Sequence, residues 1–162
     1  MKRFAALVVL LLAAGLPAEE LKPFEASGLF GYKNRTGQTR IPARFAYAGD
    51  FKHGVASVIE KNKAFLIDEK GRQILEIFLF DNGPDYFKEG LARFVEKGKM
   101  GYFDERGRKV IPALFDFAYP FSGQTAEVCN GCKSQAVGEH FVMEGGTWMS
   151  IDKQGRVRAE KK

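Results

Sequence analysis

The sequence predicts an all-β protein of antiparallel three-stranded meander units stacked as a short repeat array. Three observations carry this expectation. A turn of the form Asp-x-x-Gly recurs at Asp68-Glu69-Lys70-Gly71, Asp104-Glu105-Arg106-Gly107 and Asp152-Lys153-Gln154-Gly155, with Asn34-Arg35-Thr36-Gly37 as its first copy. Asp or Asn bonds its own backbone two residues on, and Gly supplies the positive φ that returns the chain to a strand. Runs of strand formers flank each turn, and tight-turn pairs such as Lys61-Asn62, Lys97-Gly98 and Gly145-Gly146 join one run to the next. The set recurs with a period of roughly 35 residues, the spacing of repeat architectures whose single units cannot bury a core alone.

At the start of the chain, Lys2 and Arg3 precede an uncharged run from Phe4 to Gly15, then Leu16-Pro17-Ala18. This is the form of a secretory signal peptide, and the run falls short of the about 20 residues a bilayer span needs. Residues 1–18 are expected to be removed, which implies an exported protein, periplasmic or extracellular, with no membrane attachment after cleavage. The leader holds two of the 25 basic residues and none of the 20 acidic ones, so the mature chain has 23 basic against 20 acidic, a net +3. Both signs interleave, and the concentrated basic stripe that nucleic acid would require is approached only by the basic tail 159–162. No nucleic acid partner is expected.

Residues 19–27 read as an N-terminal linker and 28–158 as the repeat domain. Before each Asp-x-x-Gly turn lies a strand: Leu29 to Lys33, Lys63 to Ile67, Lys99 to Phe103 and Thr147 to Ile151. After it comes another, ending at Pro42-Ala43 in the first copy and Pro112-Ala113 in the third. Proline cannot donate to a ladder, so these strands must stop there or run along an edge. An aromatic connector follows, and then Phe51-Lys52-His53-Gly54-Val55-Ala56, Phe87-Lys88-Glu89-Gly90-Leu91-Ala92 or Phe121-Ser122-Gly123-Gln124-Thr125-Ala126 opens a third strand. Arg93, in one of these, is expected to face solvent. Phe45, Phe51, Phe87, Phe115 and Phe121 are expected to staple connectors onto neighbouring sheets in preference to lining a ligand groove. The run from Ile74 to Phe80 reads as a buried central strand. Lys33 stands where later copies have Ile67, Phe103 and Ile151, as in a capping unit with a wetter face.

The pattern Gly-Lys-Trp-Gly-Tyr-Ile-Asp-x-x-Gly-x-x-Ile-Pro, an aromatic connector, then Phe-x-x-Gly-x-Ala resembles the WG-repeat (KWG) family of bacterial proteins, as three units plus a final hairpin. The Trp position holds Phe30, Ala64, Met100 and Trp148, and the Gly position holds Gly31, Phe65, Gly101 and Met149, so no copy has both. The resemblance implies an all-β binding or structural module without a common catalytic centre.

One segment breaks the spacing. Ala56 to Ala64 and Ala92 to Met100 each span eight residues, whereas Ala126 to Trp148 spans 22. The insert, 128–142, holds Cys129, Cys132 and His140, and Asn130-Gly131 between the cysteines reads as a tight hairpin turn. A disulfide is the default for an exported protein. A redox-active pair needs a lowered thiol pKa, usually from a helix N-terminus, and no helix reads after Cys132. Zinc could take Cys129, Cys132 and His140, with no fourth ligand evident. Lys133, Glu139 and His140 are the insert's candidate binding residues. His53 reads as a solvated turn residue. No nucleophile elbow, Walker loop or His-Glu-x-x-His is present, and no cofactor is implied. The expected function is a non-catalytic module that binds a protein or a cell-envelope polysaccharide, with the insert setting specificity. The alternatives are a thiol- or zinc-dependent envelope enzyme centred on Cys129, Cys132 and His140, and a structural spacer.

Overall fold

The structure, a computed structural model, describes residues 20–138 and 140–161, with the side chains at 137, 140, 160 and 161 outside that description. The leader expected at 1–18 also lies outside the described residues. Four antiparallel meanders follow one another. The first is β1 (Leu21–Ala26), β2 (Leu29–Asn34) and β3 (Thr39–Phe45). Short β4 (Tyr47–Ala48) leads into the second, β5 (Val55–Glu60), β6 (Lys63–Asp68) and β7 (Gln73–Ile77). A two-stranded excursion, β8 (Leu79–Phe80) and β9 (Gly83–Pro84), precedes the third, β10 (Leu91–Glu96), β11 (Lys99–Asp104) and β12 (Lys109–Phe115). Short β13 (Phe117–Ala118) opens the fourth, in which β14 (Thr125–Asn130) is followed by a hairpin of β15 (Lys133–Val137) and β16 (His140–Glu144), then β17 (Thr147–Asp152) and β18 (Val157–Lys161).

The all-β repeat expectation holds, with its phase corrected. The segment 19–27, expected to be a linker, supplies β1, which pairs with β2 from Leu21↔Asn34 to Ala26↔Leu29. A Ser27-Gly28 turn with φ of 54° and 77° closes that hairpin. Pro23 masked the strand, yet β1 is an edge strand and tolerates it. The strand read as closing each unit therefore opens the next meander, giving four three-stranded meanders in place of three units and a hairpin.

The recurring turns are built as the sequence implies, with one partner more. Asp104 Oδ1 accepts the backbone N–H groups of Arg106 and Arg108 at 3.0 Å each, while Oδ2 accepts Arg108 Nε at 2.7 Å. Asp68 with Arg72, and Asp152 with Arg156, repeat this arrangement. The first copy changes both partners together: Asn34 Oδ1 accepts Gln38 N at 2.8 Å, and its amide lies 3.5 Å from Gln38 Oε1.

β3 and β12 do not stop at proline. Each runs on as an edge strand through a bulge, with Tyr32↔Ile41 followed by Phe30↔Phe45, and Tyr102↔Ile111 followed by Met100↔Phe115. The bulge folds over the glycine opposite: a Cβ on Gly31 would lie 2.5 Å from Ile41 O and 2.7 Å from Ala43 N, and one on Gly101 equally close to Ile111 O and Ala113 N. The second meander has no Pro-Ala, its ladder is regular at Ala64↔Ile77, Phe65↔Glu76 and Leu66↔Leu75, and Phe65 fits where the others need Gly. The free outer edge of β7 then pairs with β10 through Phe94↔Ile77 and Val95↔Glu76. The second and third meanders thus share one seven-stranded sheet, in which β7 is central. Of the run expected to be a buried strand, Leu75 and Ile77 are buried, whereas Ile74, Leu79 and Phe80 are exposed.

Each junction between meanders has its own apolar core. The first contains Leu21, Tyr32, Ile41, Phe45, Ala56 and Val58; the third contains Leu91, Tyr102, Ile111, Phe115, Ala126 and Val128. Each member of the third-junction set stands 70 residues after its counterpart in the first, as Leu91 does after Leu21. The middle core, with Leu66, Leu75, Ile77, Ala92, Phe94 and Phe103, differs from both. Two similar halves therefore meet at a dissimilar seam. Of the five stapling aromatics, Phe45, Phe115 and Phe121 are buried and Phe51 partly so, but Phe87 is exposed. Lys33 is exposed on the first sheet, where Ile67, Phe103 and Ile151 are fully buried in theirs.

Candidate functional site

The insert forms the projecting hairpin β15–β16, paired from Lys133↔Glu144 to Val137↔His140. Its expected boundaries and turn are corrected. Residue 128 lies within β14, whose ladder with β17 continues to Asn130↔Thr147, so Asn130-Gly131 does not reverse the chain. The ladder breaks there and resumes at Lys133↔Glu144, across Gly131 and the pair Gly145-Gly146, all at positive φ. Gly146 is the close approach: a Cβ there would meet Cys132 N and lie 2.5 Å from Asn130 O.

Cys129 and Cys132 are joined as a disulfide with Cα atoms 6.1 Å apart. In this form neither sulfur is a thiolate for a metal or a redox reaction. The bond straps the chain where β14 gives way to the hairpin. Asp116 braces the same point: Oδ2 accepts Gly131 N at 2.7 Å and Oδ1 accepts Lys99 Nζ at 2.6 Å. The Lys99 ammonium and the Gly131 N–H hold the Asp116 carboxyl below its ordinary range. Trp148 closes the base, donating from Nε1 to Gly145 O at 3.0 Å and stacking on Tyr119 at 5.8 Å. Beyond this base the hairpin's described side chains are exposed apart from a half-buried Met143, and Phe141 is 77% exposed. Lys133 is exposed at its foot. Glu139 lies outside the described residues, and His140 is described by its backbone alone, so the three candidate binding residues are not brought together by the described geometry.

At the middle seam, Arg93 corrects the solvent-facing expectation. Its side chain is 3% exposed and pairs with Asp85, 1% exposed, through Nη2 to Oδ1 at 2.6 Å and Nε to Oδ2 at 2.9 Å. Nη1 donates to Ala118 O at 3.0 Å. Phe78 and Phe80 lie 4.6 and 5.6 Å from the guanidinium carbon. The connector that carries Asp85 and both rings covers the face of β10 that sequence alternation assigns to water. The available signal was an Arg in the column held by Ser57 and Glu127 elsewhere, with an Asp just after Pro84.

The same connector walls a cleft of about 470 Å³ that also receives Tyr47, Asp50, Ser57, Leu66 and Phe87. Tyr47, Tyr86 and Phe87 are 44%, 45% and 39% exposed. His53, exposed and at φ 52° in its turn, stands at the rim, in keeping with a solvated turn residue. Among the described residues no group of three or more His, Cys, Asp or Glu side chains is placed to hold a metal ion.

Fold and surface together define an array of antiparallel meander repeats with a projecting hairpin. The family model described as "WG containing repeat" matches residues 30–63, 65–99 and 100–132. The chain belongs to that family. The family assignment supports a repeat-based structural or binding module, in which the chemistry lies in contact surfaces and no common catalytic centre is expected. No curated protein matches the chain.

Proposed function

We propose that this protein is an exported, non-catalytic module that binds a protein of the cell envelope or its surroundings through the inserted hairpin. The observation that carries the reading is Phe141, 77% exposed on a hairpin that forms its own two-stranded sheet and rises from a disulfide-strapped base. A two-stranded hairpin is marginal alone, and a large aromatic is the side chain most often found as an interface anchor. Loops that break a scaffold's pattern are where recognition concentrates. Export is read from residues 1–18 and agrees with the disulfide, which oxidising compartments favour.

The test compares the intact chain, Phe141→Ser and a chain shortened from Cys132 through Gly145, each as bait in the exported fraction of its native host. One species retained by the intact chain and lost from both variants supports the reading. Equal retention by all three overturns it, and sedimentation of the intact chain with envelope polysaccharide in place of any protein would favour the polymer reading. An intact mass of the exported protein starting at Glu19, with two thiols released only on reduction, supports export; a mass starting at Met1 overturns it.

A further inference from the structure

β5 and β10 hold the same place in successive meanders, with Ser57 opposite Leu66 and Arg93 opposite Tyr102 across their hairpins. Arg93 fills the space between two connectors: it pairs with Asp85 on the connector before its meander and donates to Ala118 O, on the connector after it, at 3.0 Å. Ser57 ends at a hydroxyl. Where it stands, the cleft of about 470 Å³ opens between the connector segments 47–50 and 84–87, which precede and follow its own meander. That volume lies within the range of about 300–1,000 Å³ typical of ligand sites.

The walls supply flat apolar surface and hydrogen-bonding groups of both kinds. Tyr47 and Tyr86 line the cleft with exposed rings, and Tyr86 is held by Phe80, edge-on at 5.9 Å, and by the Lys88 ammonium at 5.2 Å. Phe87 is packed edge-on against Phe103 at 5.3 Å and 71° and forms part of the wall. The carboxylates of Asp50 and Glu105, which accept hydrogen bonds, face the same space as the Lys52 ammonium, which donates, and as Ser57 and His53, whose side chains do both. This mixture selects among ligands. A carboxylate or phosphate only accepts, and it meets Asp50 and Glu105 as like charges; an ammonium or guanidinium only donates, and it meets Lys52. A hydroxyl does both and carries no charge.

We propose that this cleft binds a neutral pyranose unit of a glycan, a ligand that joins an apolar C–H face to a rim of hydroxyls. The C–H face lies against Tyr47 and Tyr86, one on each connector wall, since such rings offer rigid contact area that is apolar over its body and wet at its tip. The hydroxyls exchange hydrogen bonds with Asp50, Glu105 and Lys52. The site goes beyond the hairpin reading and does not rest on it, because no residue lining the cleft belongs to β15 or β16.

The test titrates the intact folded chain with cellotriose, maltotriose and chitotriose as neutral pyranose probes, and with N-acetyl-argininamide and inorganic phosphate as charged ones, following backbone amide shifts by NMR. The expected result is saturable shifts at Tyr47, Ser57 and Tyr86 with at least one trisaccharide, and no saturation with either charged probe. Tyr47→Ala and Tyr86→Ala, both at exposed rings, each weaken that trisaccharide about ten-fold or more. Ser57→Arg, which places in this gap the side chain that closes the next one, abolishes the shifts. Phe141→Ser leaves them unchanged, so this site and the hairpin fail separately. The proposal is overturned if no trisaccharide saturates, if the shifts map elsewhere or vanish in Phe141→Ser, if a charged probe saturates the cleft, or if any folded cleft variant binds as the parent does.

Discussion

Replacing Arg93 by Met isolates the buried pair at the seam. The parent guanidinium makes two bonds to Asp85 and one to Ala118 O, with both charged side chains at most 3% exposed. Met keeps most of the apolar stem but leaves the Asp85 carboxylate buried without its counter-charge, and breaking such a pair from one side costs about 3–5 kcal/mol. With a urea m-value of about 2 kcal/mol/M, the unfolding midpoint falls by roughly 1.5–2.5 M. Adding Asp85→Leu removes the stranded charge, and the double variant should recover most of the loss, since apolar replacement of a whole buried pair is often neutral. Urea unfolding of the three chains at neutral pH tests this. A loss under about 1 kcal/mol would show that water reaches the pair and refute the reasoning.

Three other perturbations have definite outcomes. Gly101→Ala places a Cβ 2.5 Å from Ile111 O and 2.7 Å from Ala113 N, both backbone atoms that cannot swing aside, so it should cost about 1–3 kcal/mol by thermal unfolding. Changing Cys129 and Cys132 to Ser opens a loop of sequence separation 3; loop-closure entropy puts the loss at no more than about 2 kcal/mol, and amide exchange should quicken in β15 and β16 before the sheets. Finally, burial disfavours ionised Asp152, but the Arg156 N–H and guanidinium and the Gln154 N–H outweigh it and hold the carboxyl at about 2. Its contribution is complete above the unfolded value of about 3.9 and is lost as pH falls toward 2, so Asp152→Asn should flatten the stability profile between those limits and lower stability at neutral pH, where the parent's contribution is complete.

The repeated hairpins were legible because their turns have chemistry that depends on few residues: an Asp or Asn, a Gly, and strand formers on either side. The phase of the meanders was less so, because β1 carries Pro23 and lacks a Phe-x-x-Gly entry, and only pairing with β2 identifies it as a strand. The insert could be recognised by length and by its cysteines, but the direction of the chain past Gly131 depends on the continued ladder to Thr147. Arg93 was misread for a long-range reason. Alternation places it on an outer face, and a connector 8 to 15 residues back in the chain brings Asp85 and two rings to cover it.

The loss of the family's Trp-Gly dipeptide follows from the same geometry. Gly is needed where the next strand bulges at Pro-Ala, as at Gly31 and Gly101, because the bulge backbone occupies the space of a Cβ. Where Pro-Ala is missing, the ladder runs straight and Phe65 or Met149 fits in register, opposite Glu76 or Glu160. A straight strand also keeps its outer edge competent to pair, which is how β7 joins β10 and fuses two half-arrays through a single sheet. A Gly at 65 combined with Pro-Ala after Leu75 should therefore restore a bulge, remove the β7–β10 pairing and leave two 70-residue-spaced halves joined by the connector alone. The departures at positions 64–65 and 75–77 are thus coupled, and together they produce both the seven-stranded sheet and the seam at which the cleft opens.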